Sequence, residues 1–179
     1  MSSVPARICN LGALSRGMPG LTPALGTVFA EAAAVCFEHQ NHNSGVQLIA
    51  EGHFKSKFTV EWLPVTDQQL RAHNDLQYAT EYGAYGIAIF LVKDQTGQTV
   101  VERSCKGTGF DFWLGNEDDL FLEQKARLEV SGILAGGDSE IGTRLNKKVK
   151  QISKTNGTAL PGYVAIVEFS GPKARVYVK

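Results

Sequence analysis

Apolar positions recur along this chain at two spacings, and the switches between them mark its elements. Thr22-Pro23 followed by Ala24 to His39 reads as a helix. Thr22 is placed to cap it, Pro23 suits the first helical position, and Ala30, Ala32, Ala33 and Ala34 favour the state. Gln40 to Gly45 is a turn. Val46 to Ala50 and Phe54 to Trp62 are β-rich and meet at Glu51-Gly52-His53, which predicts a hairpin ended by Pro64. Thr66 to Val92 is a second helical region, with Thr66 or Asp67 as its cap. Leu70, His73, Gln77, Thr80 or Glu81, Ala84 and Ala88 follow one side of it. Gly83 and Gly86 weaken the pattern, and Ile87 to Val92 suits a strand as well as a helix.

Shorter periods follow. Asp94 to Gln98 is a turn and Thr99 to Ser104 a short strand. Lys106 to Gly109 leads into an aromatic strand around Asp111, and Ala126 to Leu134 is another strand, around Glu129. Asp138 or Ser139 caps a helix running to about Lys154. There Ile141, Leu145, Val149 and Ile152 form one stripe opposite the lysines. Asn156-Gly157 marks a turn. Tyr163 to Phe169 is nearly all apolar, as in a strand buried on both faces, and Ala174 to Val178 closes the chain. The expected class is α/β (α+β), a mixed sheet flanked by helices. Residues 1–20 read as an irregular arm, 21–65 as helix plus hairpin, and 66–179 as the core of a single domain.

Composition agrees with one globular domain of 179 residues. No apolar run is long enough to span a bilayer, and no basic segment leads an apolar one at the N-terminus. Cys9, Cys36 and Cys105 are far apart, with no CxxC pair, as expected of free thiols in a reducing cytoplasm and not of a zinc site. Charge is uneven. From Ile141 to Lys179 there are eight Lys and Arg against Glu168 alone, a net +7, and residues 1–140 carry the balancing −7. Lys147, Lys148, Lys150 and Lys154 are therefore candidates for contact with nucleic acid, the alternative being a solvated helix face.

Asp111 and Glu129 carry the candidate chemistry. A carboxylate in an otherwise apolar strand is costly unless it is paired or holds a cation. Two on neighbouring strands suit Mg²⁺, which takes hard oxygen ligands and keeps several waters. A purely structural reading pairs Asp111 with Arg103, and Glu129 with Arg127 or Lys106.

From Thr66 onward the order is helix, strand, strand, strand, helix, strand, strand, with an Asp on the second strand and a Glu on the third. This resembles the core of the PD-(D/E)XK nucleases over roughly the last two thirds of the chain. The resemblance implies a restriction-endonuclease-like core. It also implies Mg²⁺ or Mn²⁺ held by Asp111, Glu129 and a helix acid at Glu81, with DNA as substrate. The family's third motif is Glu-x-Lys, and here Ser131 stands in the lysine's place. A displaced cation would have to come from Lys125, Arg127 or Lys106, with Arg127 and Lys106 the better placed. Two expectations follow from the resemblance. One is a metal-dependent nuclease, alone or as a subunit of a defence, repair or mobile-element system. The other is an inactive nuclease-fold protein that binds nucleic acid, a protein partner or a second copy of itself. Neither involves a membrane.

Overall fold

The computed structural model describes residues 7–154 and 159–179. The Asn156-Gly157 turn lies outside them. Helix α1 spans Pro23–His39, with Thr22 Oγ1 accepting from the Leu25 backbone N–H at 3.2 Å. Strands β2 (Val46–Gly52) and β3 (Ser56–Glu61) form the antiparallel hairpin. The second helical region is two helices, α2 (Asp67–Ala72) and α3 (Leu76–Thr96). Asp75 causes the break: its side chain accepts from the backbone N–H groups of Gln77 and Tyr78 at 3.0 and 3.3 Å and starts a new helix. Residues Ile87 to Val92 are helical. Ile87, Ala88, Ile89, Leu91 and Val92 are all buried, and a helix enclosed on every side shows no amphipathic period.

Gly83 belongs to that enclosure. A Cβ there would come within 2.9 Å of the Ala33 backbone, so the glycine sets how closely α1 and α3 cross. The described part of the expected arm, from Arg7, is regular. Arg7–Asn10 is strand β1, parallel to β3, and Leu11–Arg16 is a 3-10 helix capped by Asn10. Its composition masks two anchors, Leu11 and Leu14, which with the following Leu21 are buried in the core.

The remaining elements are β4 (Thr99–Arg103), β5 (Phe112–Gly115), β6 (Ala126–Ile133), α4 (Asp138–Ser153), β7 (Gly162–Glu168) and β8 (Lys173–Val178). Gly137, not Asp138 or Ser139, occupies the cap of α4; Asp138 instead accepts from Lys173 Nζ at 2.7 Å. The chain is α/β, with one mixed eight-stranded sheet in the order β1-β3-β2-β8-β7-β6-β5-β4. Strands β4, β5 and β6 pair antiparallel, and α4 carries the chain across to β7, parallel to β6. Helices α1 and α3 cover one face over Leu128, Val130, Ala165 and Val167. Helix α4 covers the other, where Ile141 and Ile152 meet Ile133, Val164 and Ile166. Strand β7 is therefore buried on both sides, as its unbroken apolar run predicts. Among the described residues no helix is long and apolar enough to cross a membrane.

Candidate functional site

Strands β5 and β6 part company at Asp111. Their register ends at Phe112 opposite Leu128, while β6 stays paired with β7 as far as Ile133. At the fork the Asp111 N–H donates to Leu128 O at 2.9 Å, and the Val130 N–H donates to Asp111 Oδ2 at 2.8 Å. The carboxylate thus takes the place of the next ladder carbonyl. Past the fork α3 packs on β6 directly, and a Cβ at Gly132 would lie 2.4 Å from Thr80 O. The fork is open enough to admit a ligand and rigid enough to aim side chains.

Glu129 sits at the fork, 2% exposed, on the face that α4 covers. Lys148 Nζ donates to its Oε1 at 2.5 Å and Gln151 Nε2 to the same oxygen at 3.0 Å. The Asp111 and Glu129 carboxyls lie within hydrogen-bonding reach of each other. Burial raises the proton affinity of both, and the neighbouring Asp111 charge pushes Glu129 further, up to about 7. Lys148 opposes this and favours the ionised form. Two acids this close titrate as a pair, and burial shifts the pair towards its protonated form.

Tyr85, from α3, joins the third acid to the pair. Its hydroxyl lies 2.8 Å from Glu81 Oε1 and 3.0 Å from Asp111 Oδ1. Burial first, then the two carboxylates, hold the phenol well above its ordinary pKa. It therefore stays protonated and donates to one acid at a time. Glu81 stands one hydroxyl away from Asp111, and among the described residues no three His, Cys, Asp or Glu side chains form a metal cage. A two-carboxylate set still suits Mg²⁺ or Mn²⁺, since Mg²⁺ commonly takes one or two protein carboxylates and completes its shell with water and substrate phosphate. Asp111 and Glu129 are the two side chains that could hold such an ion, and Glu81 stands outside the pair.

The cations come from α4, not from the strands. Arg127 shares Glu129's face but donates to the carbonyls of Ile152 at 3.3 Å and Leu160 at 2.9 Å, tying β6 to the end of α4 and to the loop before β7. Expected as a candidate for the displaced cation, its guanidinium instead has a structural role. Lys125 is taken up by Glu123 at 2.8 Å and Asp119 at 3.6 Å. Lys106 is exposed on the rim. Ser131 Oγ accepts from Arg144 Nη1 at 3.0 Å, so α4 brings a guanidinium to the place where the motif carries its lysine. Arg144, Lys148 and Gln151 follow one another at helical spacing, and Lys148 points inward while Lys147, Lys150 and Lys154 remain exposed. Lys148 is accordingly a site residue and not part of the outer basic face. The legible signal was its position beside the apolar stripe of Leu145 and Val149.

Two clefts meet at the acids. The larger, about 550 Å³, is lined by Gln77, Ser131 and Arg144, the smaller, about 370 Å³, by Arg103, Lys106 and Gln151. Glu81, Tyr85, Asp111 and Lys148 border both. The Arg103 guanidinium lies over the Tyr85 ring, 5.5 Å from its centroid. No protein-family model, no curated protein and no solved structure matches the chain, so the nuclease resemblance rests on these residues alone.

Proposed function

We propose that this protein is a Mg²⁺- or Mn²⁺-dependent phosphodiesterase of the PD-(D/E)XK type, acting on DNA. The observation that carries the reading is the convergence of Asp111 and Glu129 at the β5–β6 fork with the Lys148 ammonium on Glu129. Asp111 and Glu129 would hold the ion. When bound, it would lower the pKa of a water and neutralise charge on the phosphate under attack. Val130 N–H and Tyr85 fix the Asp111 carboxylate, and Gln151 fixes Glu129. Lys148 and Arg144 supply the positive charge that a lysine at position 131 would otherwise bring to the developing negative charge.

The test is cleavage of plasmid and of labelled oligonucleotides with Mg²⁺ or Mn²⁺. Wild type should cut, and Asp111→Asn, Glu129→Gln and Lys148→Ala should each lose about 100-fold or more, the usual cost of a preorganised charged group. A silent wild type that still binds nucleic acid would leave the second reading, an inactive relative with a binding role. Ser131 and the separation of Glu81 from the pair are the observations that favour it. Activity gained by Ser131→Lys in that case would identify a scaffold that has lost only its cation.

A further inference from the structure

A phosphate bound at Asp111 and Glu129 has one cleft on either side of it, and the chemistry of their walls bears on what it is attached to. We infer that the substrate is a single strand of nucleic acid, one nucleotide entering each cleft and a flanking base stacking on Tyr78. The inference rests on the phosphodiesterase reading for where the phosphate lies. At about 550 and 370 Å³ each cleft has room for a nucleotide unit. Each carries its own cations: Arg144 in the larger, Arg103 and Lys106 in the smaller, and Lys148 shared between them. That pattern tracks a backbone passing through the site.

Aromatic rings accompany the charges. Tyr78, one turn before Glu81 on α3, is 61% exposed although it is a large ring beside the site. Its ring lies 6.3 Å from that of Tyr82, which lies 6.2 Å from Tyr85, whose hydroxyl touches Asp111. The row thus runs from solvent to the acids and ends under Arg103. Only Tyr78 of the row is exposed, and an exposed ring beside basic cleft walls suits a single strand, because an unpaired base offers its π-face whereas a duplex hides it.

The experiment is fluorescence anisotropy in EDTA, with a labelled single strand of about a dozen nucleotides, as DNA and as RNA, against the same sequence as duplex. The single strand should bind about tenfold tighter or better. Tyr78→Ala should weaken that binding by about 5- to 100-fold, and Tyr78→Phe should retain it, since the ring and not the hydroxyl stacks. Duplex bound as tightly as single strand, or Tyr78→Ala binding like wild type, overturns the inference. Chelation separates this result from catalysis. Single-strand binding by a protein that cuts nothing keeps the site and removes the nuclease. Metal-dependent cutting confined to duplex keeps the nuclease and removes the single-strand site.

Discussion

A carboxylate as buried as Glu129 holds its charge only against partners, and it has Lys148 and Gln151 on one side and Asp111 on the other. Glu168 offers a comparison within the same sheet. Equally buried, it accepts from the backbone N–H groups of Gly136, Ser170 and Gly171 at 3.2, 2.8 and 2.8 Å and serves as a staple for two loops. Glu129 instead faces another acid, an arrangement that costs stability. Its folded pKa is raised, so the folded state binds a proton that the unfolded chain has released. Its contribution to stability therefore falls as pH rises from the ordinary carboxylate range towards about 7. Glu129→Gln should raise the melting temperature of the metal-free protein at about pH 8 and do little at about pH 4, read by calorimetry across that window. An unchanged melting temperature at the higher pH would show that Lys148 already balances the pair. If the pair holds a metal ion, the same raised proton affinity governs its binding. Mn²⁺ affinity should rise with pH through neutrality, and calorimetry in buffers of different ionisation enthalpy should detect proton release on binding. Binding without proton release would mean that the acids are already ionised.

At the scale of elements, the crossing of α1 and α3 holds Tyr85 and Glu81 in place. Gly83 sits where a side chain would strike the Ala33 backbone. Alanine is the better helix former by about 1 kcal/mol, yet backbone cannot yield as a flexible side chain does, and overpacking costs about 1–3 kcal/mol. Gly83→Ala should therefore destabilise by up to about 2 kcal/mol in urea unfolding, with the slope unchanged. A stabilised variant would show that the two helices can separate. Helix α4 has two working sides: Arg144, Lys148 and Gln151 turn into the site, while Lys147, Lys150 and Lys154 face solvent.

For the whole molecule, the uneven charge becomes a question of range. The +7 segment includes α4 and two strands beside the site, so a polyanion would approach from that side. If the outer lysines of α4 contact phosphate, Lys147→Glu with Lys150→Glu should weaken binding about tenfold at low salt. The double variant should also flatten the plot of log affinity against log salt by about 1–2. An unchanged slope would return those lysines to solvent.

Strand β6 with Glu129, strand β5 immediately after Asp111, and α4 were legible because local periodicity governs them: alternation in the sheet and an apolar stripe on α4. The two strand acids stood out because a charge in an apolar run demands an explanation wherever the chain goes. Three features escaped local reading. The strand and 3-10 helix at residues 7–16 are held by widely spaced leucines, whose value appears only once α1 and α3 lie over them. Ile87 to Val92 is the stretch of α3 in which five of six residues are buried, so burial erased its period. Parity put Arg127 on Glu129's face but could not say that its guanidinium would run to Ile152 and Leu160. The sequence by itself determined the types of the regularly patterned elements and singled out the acids, since those depend on neighbours one to four residues away. Only the tertiary structure decided that Tyr85 stands between Glu81 and Asp111, and that Lys148 and Arg144 serve Glu129 and Ser131 from another element. Those contacts join residues distant in the chain, and no local period records them.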